Sequence, residues 1–192
     1  HPYQRHNGRP IETLKKVLKH IFHQFEEKEI YAVAVTGSGR ALVSKALGIC
    51  AVNDVKATWL GVEHSKSEAA TVIEIGGECT KLLCFEPTRS NEKKTRLGYF
   101  ARNTLCAAGT GSFLEQQASR LGYSIEEIGT IALKSKSPAT ISGRCSVFAK
   151  TDLIHLQQIG TPDYDMIAGL CFAVARNFLS SVGKSKKLRP PV

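Results

Sequence analysis

The chain has 192 residues, enough for one ordinary domain with its own core or two very small ones. Apolar residues make up 42% and charged residues 22%, the balance of a folded globular protein and not of a disordered one. No apolar run approaches about 18 residues, which argues against a membrane-spanning helix, and no basic-then-apolar signal pattern opens the chain, so the cytoplasm is the expected location. The first residue is His1 and not Met, as expected of a segment of something longer.

The 26 basic residues against 17 acidic ones give a formal charge of +9. These residues are dispersed: Lys15, Lys16 and Lys19 fall in a first helical stretch, Lys93, Lys94 and Arg96 in a loop, and Lys184, Lys186, Lys187 and Arg189 near the end. Trp59 and the five Tyr are not interleaved with them as a base-stacking platform requires. A solvated surface is the reading, and nucleic acid is not an expected partner. The terminal KSKKLRPP reads as a frayed basic tail or linker, 184–192, because Pro190 and Pro191 cannot continue a helix.

In chain order, residues 11–27 place Ile11, Leu14, Leu18, Ile21, Phe22 and Phe25 at three- and four-residue steps, an amphipathic helix. YAVAVT (31–36) reads as a buried strand ended by the turn TGSGR, a helix follows over 40–48 with Gly48 as its stop, and another runs near 53–62. ATVIEI (70–75), Gly76-Gly77 and a partner strand over 78–85 predict a β-hairpin. A short strand is expected at 98–102 and a helix from Ser112 to Leu121. Ser124 and Glu127 form a capping box for a helix from Ile125 to about Lys134. SGRC (142–145) opens a helix through Gln158, and Asp163 caps a last long one from Tyr164 to about Val182. Strands early and helices late make the class α/β or α+β with a helical second half.

Three stretches can carry chemistry. In ATVIEIGGECTK, a strand ending at Glu74 meets Gly76-Gly77, where the missing Cβ atoms let backbone approach a phosphate closely. Glu74 suits a Mg²⁺-bound water and Lys81 offers positive charge, although Gly-Gly also serves in ordinary hairpin turns. In NTLCAAGTGSFLEQQ, Gly109-Thr110-Gly111 frees backbone N–H groups where a helix begins, a favourable place for an anion, with Cys106 just before it. SGRCSVFAKTD repeats that plan with Cys145. Two cysteines, each at the mouth of its own helix, can be anionic metal ligands or small buried hydrophobes. Two thiolates are half of what a four-ligand centre needs, and a two-fold dimer supplies the rest. Of the other four cysteines, Cys79 and Cys84 point to opposite faces of a strand and are poor co-ligands, and Cys50 and Cys171 read as packing thiols.

Taken together, IEIGGECTK, NTLCAAGTGSFLEQQASRLG and ISGRCSVFAKTDLIHLQQIG resemble the ATPase activators of 2-hydroxyacyl-CoA dehydratases and the related benzoyl-CoA reductase ATPase subunits. TGSGR at 36–40, VND at 52–54 and the opening YQRHNGRP are similar to the same family. The resemblance implies an actin-like, ribonuclease H-like and sugar-kinase-related ATPase fold. It implies a homodimer with one [4Fe–4S] cluster between subunits, ligated on the matching positions by Cys106 and Cys145 of each chain. ATP/ADP with Mg²⁺ is the implied nucleotide, faced by Glu74, Gly76, Gly77 and Lys81, with Gly109, Thr110 and Gly111 shaping the turn beside the first ligand. The implied partners are an acyl-CoA dehydratase or aryl-CoA reductase, which takes up a low-potential electron, and a donor such as ferredoxin or flavodoxin.

The sequence departs from the family's second phosphate loop, Asp-Ile-Gly-Gly-Gln-Asp-Ser-Lys. Glu74 stands for its first Asp, and Cys79 stands where it has a second carboxylate. The family's first phosphate loop and its C-terminal adenosine glycines are not in the chain. The expectation is therefore a partial actin-like ATPase domain over 1–183, incomplete at both ends, with a strand–helix part (1–85) and a cluster-binding helical part (103–183). A non-catalytic iron–sulfur or interaction module with a degenerate nucleotide site is the alternative.

Overall fold

The computed structural model describes residues 3–65, 68–87, 95–103, 107–184 and 186–192. These divide into two compact units, one ending at Gly61 and the other starting at Val62.

The first unit opens with helix α1 (Pro10–Gln24), where Pro10 takes the position at which its missing N–H costs nothing. The apolar stripe forms a helix as its spacing predicts, and the chain then makes a short 3-10 turn at Glu27–Glu29. The strand expected over 31–36 is only β1 (Ala34–Val35), because its partner β2 (Cys50–Ala51) offers just two residues for a parallel ladder. Helix α2 (Arg40–Leu47) stops at Gly48, whose φ of 66° lies in the left-handed region that glycine occupies without strain. Helix α3 (Asp54–His64) is capped by Asn53, whose Oδ1 accepts the N–H groups of Val55 and Lys56 at 2.9 and 3.3 Å. Cys50, expected as a packing thiol, is exposed, as is Ala51, the other residue of the short strand that carries it.

In the second unit, strands β3 (Thr71–Ile75), β4 (Thr80–Pro87) and β5 (Thr95–Arg102) form an antiparallel meander. β4 is central and covered on both faces, so Leu82, Leu83 and Phe85 are all buried and the strand reads as a continuous apolar run. Four helices follow: α4 (Gly111–Arg120), α5 (Ile128–Ala132), α6 (Ser146–Gln158) and α7 (Asp163–Phe178), the last running into a π turn at Leu179–Gly183. α7 joins two cores. Met166, Leu170, Ala173 and Val174 pack with Phe113, Ile141, Ala149 and Leu153, while Phe178 and Val182 pack with Leu82 of the sheet.

Three local expectations differ. The helix from Ile125 shrinks to one turn beyond Glu127. Glu127 accepts the N–H of Ser124 at 2.8 Å, which lowers its pKa, but the Ser124 hydroxyl donates to the same carboxylate and caps nothing. Pro162 and not Asp163 sits at the cap of α7. The terminal segment is docked and not frayed: the Thr71 hydroxyl donates to Arg189 O at 2.9 Å, Pro191 O accepts the N–H of Ala70 at 2.9 Å, and Arg189 reaches Phe85 O. The free edge of β3 needs partners for its backbone groups, and this segment provides them.

With its extension, α7 covers 21 residues at mean hydropathy 1.4, long and apolar enough to cross a membrane by length and composition, contrary to the expectation from apolar runs. Its buried Met166, Ile167, Leu170 and Val174 pack inside the unit, which is the pattern of a core helix.

Instead of capping α7, Asp163 accepts the Tyr123 hydroxyl at 2.8 Å, and this hydrogen bond raises the phenol above its usual 10.0. A raised folded-state value means the contribution is present below the unfolded pKa and lost as pH rises through the folded one. Tyr123→Phe is therefore expected to flatten the decline in stability above about pH 10, checked by urea melts across the alkaline range. An unchanged alkaline slope would count against the contact.

Candidate functional site

Glu74 and Lys81 face each other across the β3–β4 ladder, and the turn between them is Gly76–Cys79. The Gly76 N–H donates to Cys79 O at 2.9 Å, and a Cβ at Gly76 would stand 2.9 Å from that same oxygen. The turn rests on the start of α4. The Gly111 N–H donates to Gly76 O at 2.8 Å and the Ser112 N–H to Gly77 O at 3.1 Å. A Cβ on Gly111 would lie 3.3 Å from Gly76 O. The two glycine motifs thus serve a close approach of backbone to backbone.

This corrects one expectation. Two amides of the Gly109-Thr110-Gly111 turn, and the one after it, are not left open for an anion: Thr110 N–H donates to Ala107 O at 3.0 Å, and those of Gly111 and Ser112 are taken by the hairpin turn. Buried N–H groups find partners, and the turn's carbonyls are the nearest ones. What α4 contributes to the turn above it is the positive end of its dipole.

Glu74 and Lys81, expected in separate roles toward a nucleotide, are brought together. Lys81 Nζ lies 2.8 Å from Oε1 and 2.9 Å from Oε2 of Glu74. The lysine side chain is 5% exposed and the glutamate 38%.

Cys106 lies outside the described residues, which resume at a 3-10 turn, Ala107–Gly109. Thr110 occupies the N-cap of α4 in an extended conformation, and its hydroxyl donates to Ala107 O at 2.7 Å. Cys145 is the N-cap of α6, also extended, with a free, half-buried thiol that makes no capping hydrogen bond. Beside it opens a cavity of about 660 Å³, lined by Ser142, Gly143, Arg144, Asp152, Arg176 and Asn177 among others. Among the described residues no three His, Cys, Asp or Glu come together, so they make no complete metal site.

Three polar residues that the motifs did not single out hold the site together. Thr80 donates its hydroxyl to Gly109 O and its N–H to Asn103 Oδ1, the latter at 3.2 Å. Asn177 of α7 donates to Gly143 O at 2.5 Å. All three are buried and hydrogen-bonded, and no motif in the sequence marks them, because their partners lie far along the chain.

A three-stranded hairpin sheet backed by a long core helix, with a glycine turn seated on a helix start, is the arrangement of an actin-like ATPase. The structure is similar to the activator of the 2-hydroxyisocaproyl-CoA dehydratase from Clostridium difficile with bound ADPNP, with TM-score 0.74 and 30% identity over 86% of this chain and 60% of that one. It shares the fold of component A of (R)-2-hydroxyglutaryl-CoA dehydratase from Acidaminococcus fermentans, with TM-score 0.77 and 23% identity over 91% of this chain and 65% of that one. In sequence it is 33% identical over 156 residues to the 2-hydroxyisocaproyl-CoA dehydratase activator of Clostridioides difficile. That match covers 81% of this chain and 55% of the relative, so the chain spans little more than half the relative's length. The BadF/BadG/BcrA/BcrD ATPase family model matches residues 2–192, and the chain belongs to that family.

Proposed function

We propose that this chain is the phosphate-turn and cluster-ligand part of an ATP-dependent activator that delivers low-potential electrons to an acyl-CoA dehydratase or aryl-CoA reductase. The observation that carries the reading is the contact between motifs. The Gly76–Gly77 turn is hydrogen-bonded directly to Gly111 and Ser112, a few residues after Cys106. A change at the turn on nucleotide binding therefore reaches the start of α4 without an intermediary.

The residues fit both absent groups. For a nucleotide, the turn carries no side chain at Gly76 and Gly77, α4 places its positive end beneath, and the Glu74–Lys81 pair offers a carboxylate and an ammonium side by side. For a cluster, Cys145 is a free thiol at a helix start, and the donors of one chain are a half share. Val147 and Phe148, each 65% exposed, follow Cys145 closely on α6 and form an apolar surface that a second copy would cover. When bound, a [4Fe–4S] cluster shared by two copies would supply a one-electron carrier. Cys106 and Cys145 of each copy hold it, the helix starts favour its negative charge, and Glu74 and Lys81 meet Mg²⁺-ATP or ADP. A ferredoxin or flavodoxin is the kind of donor that reloads such a centre.

Anaerobic purification with iron and sulfide analysis tests this reading. One cluster per two chains is expected, and Cys106→Ser is expected to abolish the brown chromophore while leaving far-UV circular dichroism unchanged. Full iron content in that variant would refute the assignment. One observation favours the alternative of a cluster module without nucleotide turnover: the Glu74 carboxylate is already engaged by Lys81, and Cys79 adds no second carboxylate to the turn. Titration of the full-length protein with Mg²⁺-ADP separates the two, since a module of that kind gives no saturable binding.

A further inference from the structure

The turn after Cys106 and the turn before Cys145 are joined through one side chain. Asn177 lies in the last turn of α7 and is 4% exposed. Its Nδ2 donates to Gly143 O at 2.5 Å, two residues before Cys145. Its Oδ1 accepts the Ser181 hydroxyl at 3.2 Å and presses against the other turn, where a Cβ on Gly109 would meet it at 2.4 Å and its Cγ at 3.1 Å. Gly109 O accepts the Thr80 hydroxyl, and Thr80 follows the Gly76–Cys79 turn directly. A chain of buried contacts thus runs from Thr80 through Gly109 and Asn177 to Gly143.

We propose that Asn177 is a positioning residue that holds the Cys145 turn in register with the Gly109 turn, so that a displacement of the Gly109 turn is passed on to Cys145. Three features set it apart from an ordinary buried amide. It touches both turns with one side chain, by a hydrogen bond to Gly143 O and by close contact at Gly109. It is a buried polar side chain whose helix neighbours Val174 and Phe178 are apolar core residues. And the glycine at 109 leaves no space between turn and amide, so neither can shift without the other. The use of this link, setting the geometry of a shared metal site, rests on the function proposed above, but the link itself does not.

The test is a double-mutant cycle read at Cys145. The reduced, metal-free chain is alkylated with iodoacetamide and each cysteine is followed by mass spectrometry. Asn177→Ala is expected to speed Cys145 labelling about fivefold, the scale of losing one hydrogen bond that holds a turn closed. Labelling at Cys50 and Cys84 should not change. Cys171, whose thiol pKa burial raises, should remain slow. Gly109→Ala is expected to speed Cys145 as well, because its methyl must push Asn177 aside, and to add nothing in the Asn177→Ala background, where the methyl has room.

An unchanged Cys145 rate in both single variants would overturn the proposal. So would a uniform rise at every cysteine, which marks general loosening, or additive effects in the double variant. Should Asn177→Ala fail to fold, Gly109→Ala alone decides, since its methyl faces Asn177 and Asn103 and not the Cys145 turn. In the iron-loaded protein, Asn177→Ala should also alter the electron paramagnetic resonance spectrum of the reduced centre. A wild-type protein that assembles no cluster would sink the proposed function while the labelling result still judged the link.

Discussion

Glu74→Ala is expected to lower the stability of the chain by about 1–2 kcal/mol, less than the cost of breaking a fully buried ion pair because the glutamate is partly solvated. For a chain of this size that is a fall of roughly 2–8 °C in Tm. The sign follows from asymmetric burial. The ammonium of Lys81 is almost wholly removed from water, while Glu74 keeps more than a third of its side chain in solvent, so removing the carboxylate takes a neighbouring anion from the more buried of the two charges. The reverse truncation, Lys81→Ala, leaves a carboxylate that water can reach, and should cost less. Replacing both partners with apolar residues, Glu74→Leu with Lys81→Met, should recover most of the loss, because two apolar side chains in facing ladder positions need no compensation. Urea unfolding of the three variants reads the ranking directly, provided the slope with denaturant is unchanged. If Glu74→Ala and Lys81→Ala cost the same, the pair is no more buried on one side than on the other, and the geometric reading fails.

What the sequence discloses and what it hides divide along a physical line. Signals carried within one element are legible. The three- and four-residue apolar steps of α1, the left-handed stop at Gly48 and the glycine turn between β3 and β4 all form where their local pattern places them. β2 is not legible, because two residues, Cys50 and Ala51, make no pattern without the parallel partner that selects them. Asp163 has the residue type that suits a cap, yet Tyr123, 40 residues earlier, claims its carboxylate instead. The site divides in the same way. Gly76-Gly77 and Gly109-Thr110-Gly111 are each visible as motifs, and the resemblance assigns both to one family. That the second donates its amides to the first is a tertiary fact, and so is the Thr80–Gly109 bond across 29 residues and the Asn177–Gly143 bond across 34. Polar residues with distant partners leave no periodic trace.

Gly143→Ala is the second large effect expected, about 2 kcal/mol, and it separates two reasons for a glycine in the turn before Cys145. Gly143 has no positive φ, so backbone freedom does not explain it. A Cβ there would stand 2.6 Å from Ala173 O and 3.4 Å from the carbon that bears it. Ala173 is fully buried in the middle of α7, packed among Met166, Leu170 and Val174, and a helix backbone cannot give way as a side-chain tip can. The turn must therefore lift away from α7, at the cost typical of overpacking a tight core, with a loss of roughly 4–8 °C in Tm. The lift also lengthens the 2.5 Å bond from Asn177 to Gly143 O, so the variant should expose Cys145 to alkylation as well as unfold earlier. Gly129→Ala, in α5 with open space around the added methyl, is the matched control and should leave Tm within about 1 °C or raise it. Equal melting of the two variants would mean that the turn at Gly143 does not lie as close to α7 as the structure places it.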